Sequence, residues 1–490
     1  MKHVALAAVF VATLPFAAEA KVLRVAPPSP VVDLDPHGPN GTLRDTIMAS
    51  KQVYDPLVEF NGAQPVGRLA TAWRQPDPLT WVFTLRDGVT FHDGQPFTSA
   101  DAAASVERQV RQKGGLGPLW AAFDKVETPD PKTLVIKLKE PVGPFLRNVA
   151  LLPIVPASAV KEAGDKYGAA VRLPGTGPFK VKSFRPGQIL ELEANAAYWD
   201  KPPQIAGVTI QNIPELAGRV TALLNNEIDV TWFLPDDQVT ALKKSPDVTI
   251  SAVPSALYYY NWFNAQKKPF DDVRVRQAMW HAVDVKRLVA DLLPETGEVA
   301  RAPITSAVFG YAAKEPYAYD VEKAKKLLAE AGYPNGFSTD LQYSPSQGPE
   351  IEQLALAFIS YWDKIGVKVT AQPLENPVWT KNLRELNWNM TMSSNPSFTE
   401  DADYTIGRLY TTKRSGYESA RATQLLVAAQ RESDQEKRKD LYSQAIDVLW
   451  ADAPGIFPAE LKAIYASRKG VSGLDLSATY TPRFRAVTAK

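Results

Sequence analysis

The 490-residue chain contains no cysteine and only four histidines, one of which, His3, falls among the first residues. Without that sulfur there is no disulfide, no thiolate metal site, no cysteine nucleophile and no cysteine-linked lipid tether. His37, His92 and His281 show no ligand spacing and no methionine cluster stands in for them, so nothing points to a bare soft-metal site. The G-x-x-x-x-G-K-[ST] phosphate loop, the G-x-S-x-G nucleophile elbow and the H-E-x-x-H helix are also missing. Charge of one sign is lacking too: 55 Lys plus Arg against 54 Asp plus Glu leave no field that would gather nucleic acid or an anionic membrane. Paired acids such as Asp271 with Asp272 and Glu400 with Asp401 read as helix caps and exposed loop charge rather than as a catalytic dyad. The sequence therefore offers no catalytic, metal or cofactor site.

The single long apolar run lies at the start. Met1, Lys2 and His3 form a basic region, Val4 to Phe16 an apolar one, and Ala18, Glu19, Ala20 an A-x-A site, so cleavage is expected after Ala20, giving a mature chain that begins at Lys21. About 13 apolar residues do not cross a hydrocarbon core of ~30 Å, which argues for a removed leader rather than an anchor. A chain of this length divides into two or three domains.

Strand and helix signals alternate through the rest. Lys21 to Ala26 reads as a strand ended by Pro27, Pro28 and Pro30, Trp81, Phe83 and Leu85 alternate with Val82, Thr84 and Arg86 at the period of a half-buried strand, and Leu134, Ile136 and Leu138 mark another alternating strand. Thr98 and Asp101 form a capping arrangement for a helix to about Gln112, stopped by Gly114 and Gly115. Asp320 caps a helix with Gly332 at its left-handed stop, and Ser433 with Glu436 predicts a capping box for a second long helix ending before Pro454. Tyr258 to Phe263 is an aromatic strand that Pro269 keeps from continuing, and Asp271 or Asp272 then caps a helix carrying Val275, Ala278, Met279, Ala282 and Val283 on one face. The 40 prolines are spread as loop punctuation, without repeats or a low-complexity linker.

That last run, with Asn264, Gln266, Pro269, Phe270, Asp272, Val275, Arg276 and Ala278, resembles the corresponding segment of the family 5 extracytoplasmic solute-binding proteins, the peptide- and nickel-type receptors of ABC importers. Further stretches resemble the same family in order: Tyr54 to Leu57; Trp81 to Asp101 with Phe91, His92, Asp93 and Gly94; Gly175 to Phe179 followed by Tyr198 and Trp199; Arg219 to Val230; and Ala324 to Tyr333. The resemblance spans nearly the whole mature chain. It implies a two-lobed α/β periplasmic-binding-protein fold, type II-like, with an extra α/β domain inserted in the first lobe. The implied first lobe takes 21–52, 172–266 and 468–490, the inserted domain 53–171 and the second lobe 267–467. It also implies a monomer that captures a medium-sized organic or peptide-like solute by closure and hands it to a permease and ATPases on other chains. No nucleic acid and no cofactor takes part. His92 sits in the strand-turn signature and is read as a satisfied structural histidine.

In peptide-binding relatives one loop of the second lobe carries a tryptophan and, three residues later, an aspartate that pairs with the peptide α-ammonium. Matching Asp401, Ala402, Asp403 and Ile406 to the segment that follows puts Asn395 at the tryptophan and Phe398 at the aspartate. A shift of one to three residues would instead bring Glu400 or Asp401 near it. Tyr260, Asn261, Trp262, Asn395 and Phe398 are the expected ligand-binding residues, suited to flat apolar surface plus hydrogen-bonding groups, with Trp120 and Trp379 as further candidates. Loss of the aspartate shifts the expectation toward blocked peptides, opine or sugar conjugates, oligosaccharides or metal chelates.

Overall fold

Alternation of apolar residues builds the two larger of the four sheets among the described residues. In the computed structural model, which describes residues 20–112, 115–169, 173–348 and 350–489, the strand Thr80–Leu85 turns Trp81, Phe83 and Leu85 inward. It lies between Ala70–Asp77 and Thr133–Leu138, and Phe123–Asp130 completes an antiparallel four-stranded sheet. The helix Ser99–Arg111 packs Ala102 and Val106 onto that face, and its capping box between Thr98 and Asp101 is present. Residues 1–19 of the expected leader 1–20, Gly114 and the expected domain boundary at 171–172 lie outside the described residues.

The second sheet has twelve strands. Its centre is a pair of long antiparallel strands, Val248–Phe263 and Ala459–Arg468, registered from Val248 opposite Arg468 to Tyr258 opposite Glu460. On one side Val230–Trp232, Val22–Ala26 and Gly207–Gln211 continue the sheet; on the other Met390–Pro396, Ser338–Tyr343 and Lys368–Pro373 do so. The two long strands thus belong to both halves. Their register shifts between Pro254 and Tyr258, where proline has no amide to give to the ladder.

Local signals account for several helix ends. Asp272 accepts a hydrogen bond from the Arg274 amide, Asp320 from Lys323, and Gly332 adopts φ +91° where other residues would be strained. The helix Gln435–Asp452 corrects the sequence reading: Asp434, not Ser433, is its cap and accepts from the amides of Glu436 and Lys437. A carboxylate there satisfies two amides at once and adds the charge that a helix N-terminus favours.

His92 bridges the two sheets. Its Nδ1 accepts from the Gly175 amide at 3.1 Å, which leaves the proton on Nε2 to donate to the Gly177 carbonyl at 2.9 Å, and burial pushes its pKa down to about 4. A Cβ at Gly175 would stand 1.9 Å from the Val53 carbonyl oxygen, so the Gly175–Phe179 run is built for close backbone approach. Among the described residues no helix is long and apolar enough to cross a membrane.

Candidate functional site

Between the two halves lies a cavity of about 400 Å³ with walls from both and a floor from the long strand. The helix Arg44–Val53 contributes Lys51, the strand Val58–Asn61 contributes Glu59 and Phe60, and the helix Phe145–Ala150 contributes Arg147. Opposite stand Phe398, Thr399 and Glu400; Val253 and Pro254 form the floor, and the C-terminal segment adds Asp475, Ser477 and Arg483. A smaller recess of about 40 Å³ shares Lys51, Glu59, Leu151 and Arg483 with the cavity and runs behind them between Ile47, Tyr54 and Leu116.

The charges in these walls are nearly balanced. Arg147 donates to the Gly62 carbonyl at 2.9 Å, stacks 3.8 Å over the Phe60 ring and reaches across to Glu400 at 3.5 Å. Glu400 holds a left-handed backbone, φ +52°, uncommon for a residue other than glycine. Arg485 grips Glu59 through two bonds of 3.2 and 3.1 Å. Burial alone would raise the Glu59 carboxyl, but Arg483, Arg485 and Arg68 together hold it below the ordinary range. Lys51 donates to Thr481 Oγ1 at 2.6 Å, and burial with the nearby Arg483 cation pushes its ammonium down to about 8.

The residues expected from sequence divide between cleft and core. Phe398 lines the cavity and meets Tyr404 edge-on at 5.7 Å. Asn395 pairs with Tyr258 in the sheet and donates to its hydroxyl at 3.1 Å. Tyr260 stacks on Trp262 at 4.0 Å with both rings buried, and neither belongs to the cavity wall. Asn261 points to the opposite face and is completely buried, and neither amide atom of its side chain has a protein partner among the described residues. Trp120 sits edge-on to Phe145 in the core of the four-stranded unit. Trp379 is buried with its Nε1 on Thr391 Oγ1 at 3.0 Å.

Asp401 also corrects the reading of an exposed loop acid, because it is 1% exposed and held by Arg438 through bonds of 2.8 and 2.5 Å. That carboxylate is already consumed, whereas its neighbour Glu400 faces the cavity. Lys51, Glu59, Arg147 and Arg483 escaped the sequence reading. They come from three distant stretches of the chain, and no periodicity or motif marks a charge that only the tertiary fold carries to a cleft.

Residues 64–417 match the family model described as bacterial extracellular solute-binding proteins, family 5, middle. A glutathione-binding protein of Pectobacterium atrosepticum is 28% identical over 488 residues, covering 95% of this chain and 93% of its own length. Among solved structures, the periplasmic binding protein DppA of Helicobacter pylori in complex with the peptide STSA superposes with a TM-score of 0.79 at 27% identity, covering 96% of this chain and 98% of that one. MoaA of A. tumefacien R10 in complex with mannopinic acid gives 0.78 at 26% identity, with 96% and 100% covered.

Proposed function

The chain belongs to the bacterial extracellular solute-binding proteins of family 5, and from that membership we propose that it is the periplasmic receptor of an ABC importer for a peptide-like or other medium-sized organic solute. One observation carries the reading: the cavity of about 400 Å³ is walled by both halves of the molecule, with Arg147 and Glu400 facing each other across it, as closure around a solute requires. The division we infer is one lobe of 21–52, 172–266 and 468–490, a second of 267–467, and 53–171 inserted; the four-stranded sheet within 53–171, separate from the twelve-stranded sheet whose two halves meet at the long strands, supports it. The receptor works as a monomer, is exported by a leader cleaved after Ala20, delivers its cargo to a permease and ATPases on other chains, and does no covalent chemistry.

The glutathione-binding relative and the peptide-bound DppA support a peptide-like cargo, and the mannopinic acid complex supports extending the range to opines. The test is thermal unfolding of mature protein, refolded from denaturant to strip endogenous solute, against di- to pentapeptides, glutathione, N-blocked peptides, opines, oligosaccharides and metal chelates. A true cargo at a hundred times its dissociation constant adds about 2.7 kcal/mol. Silence across every class, or recovery of a chemically altered solute, would sink the reading.

A further inference from the structure

Each acid in the cleft wall has a guanidinium of its own. Glu59 is held by Arg485 at 3.2 and 3.1 Å, Glu400 faces Arg147 at 3.5 Å, and Asp475 faces Arg483 at 3.6 Å. Lys51 breaks that pattern. Its ammonium lies against a hydroxyl, Thr481 Oγ1, and among the described residues no carboxylate pairs with it directly; Glu400, Glu59 and Asp475 act on it only from beyond ion-pair distance, and each is engaged by an arginine. A cation taken from water without a partner costs several kcal/mol, and proteins keep one only where something else neutralises it.

We propose that the Lys51 ammonium receives a carboxylate of the bound solute, which makes this receptor selective for acids. The site is built for it. Lys51 belongs to the lining of the cavity and of the apolar recess behind it, so a group bound there is shielded from water on one side. Hydroxyl donors cluster beside it: Ser477, Thr479 and Thr481 lie within 2.9 to 3.2 Å of one another, and Ser477 lines the cavity. Arg483 extends the positive edge, 3.4 Å from a Glu59 that Arg485 already neutralises. One spare ammonium matches a singly charged carboxylate; a phosphate dianion would call for a second unpaired cation or a bidentate guanidinium fork. Burial and Arg483 push Lys51 down to about 8, as befits a cation waiting for an anion.

This inference rests on the solute-receptor reading, and its test separates the two. Isothermal titration compares a tripeptide panel with glutathione, each as free acid and C-terminal amide, and succinate, on the wild type, Lys51→Met and Lys51→Arg. The expected result is a preference of tenfold or more for free acids in the wild type, its loss in Lys51→Met and its partial return in Lys51→Arg, with circular dichroism confirming that both variants fold. Equal binding of acids and amides by the wild type, or a preference that survives in Lys51→Met, overturns the anchor while leaving the peptide receptor intact. Should Lys51→Met not fold, the wild-type acid-to-amide ratio and Lys51→Arg decide alone. Succinate binding that depends on Lys51, without any peptide binding, supports the anchor and removes the peptide reading. Binding of no probe at all removes both.

Discussion

Arg147 and Glu400 stand 3.5 Å apart across the cleft, one on the four-stranded unit and the other on the loop that follows the strand Met390–Pro396. They join parts of the molecule that share no strand pairing at that point, so the pair draws the cleft closed. With Glu400 more than a quarter exposed, such a contact is worth about 0.2–1 kcal/mol, enough to bias an open–closed equilibrium without locking it. Glu400→Gln is expected to increase the radius of gyration of solute-free protein in small-angle scattering, and saturating solute should return it to the wild-type value. An unchanged scattering curve for both Glu400→Gln and Arg147→Gln would remove the latch.

The next residue behaves in the opposite way. Asp401 and Arg438 are each 1% exposed, and Arg438 also bonds the Ala429 carbonyl and the Tyr442 hydroxyl. Removing one partner strands a buried charge, at a cost of about 3–5 kcal/mol. Asp401→Ala should therefore lower the urea midpoint strongly, while Glu400→Gln stays within about 1 kcal/mol of wild type. Similar losses in the two variants would mean that Asp401 is not the structural member of the pair.

These neighbours show what could and could not be read from the sequence. Thr98 with Asp101, Asp272, Asp320 and Gly332 were legible because a cap or a left-handed stop is decided within a few residues. The cap at Asp434 was displaced by one position because Ser433 and Asp434 are both good cap formers, and only geometry chooses between them. The aromatic strand was visible, but not that both of its faces are covered: Tyr260 and Trp262 lie against Tyr410, and the cleft floor is the plainer Val253–Pro254 stretch of the same strand. Lys51, Arg147, Glu400 and Arg483 meet only through the tertiary fold, and hundreds of residues separate the first of them from the last.

Glu350 offers a pH test of the contact behind the long strand. It is buried, it accepts the Tyr259 hydroxyl at 2.5 Å, and burial, with Asp236 and Asp237 nearby, pushes its carboxyl up to about 7. The folded protein thus holds a proton that the unfolded chain has released by about pH 4.5, so this group erodes stability as pH rises from there to 7. Asp45, raised to about 7, acts in the same sense, and His92, lowered to about 4, in the opposite one, so the wild-type curve alone does not isolate Glu350. Glu350→Gln keeps an acceptor for Tyr259 and should be near neutral at pH 5 but gain on the order of 2 kcal/mol over wild type by pH 8. Parallel stability curves for the two proteins would contradict it.

Lys51 titrates in a different window. Its ammonium faces Arg483, which disfavours the charge, and Glu400, Glu59 and Asp475, which favour it, with burial pushing the balance down to about 8. Unfolded lysine keeps its proton to about 10.4, so between those values the unfolded chain binds more protons, and solute-free protein should gain stability as pH rises from 8 toward 10. A bound carboxylate reverses the preference, because it needs the charged form and raises the pKa in the complex. Affinity for an N-acetylated free-acid tripeptide, whose own amine no longer titrates, should hold steady from pH 6 to 7.5 and fall by up to tenfold per unit above 8, while affinity for the matching N-acetylated amide stays flat. Arginine remains charged throughout that range, so Lys51→Arg should abolish the fall. The comparison of those two profiles distinguishes a titrating anchor at Lys51 from a general loss of structure at alkaline pH, which would carry acid, amide and variant down together.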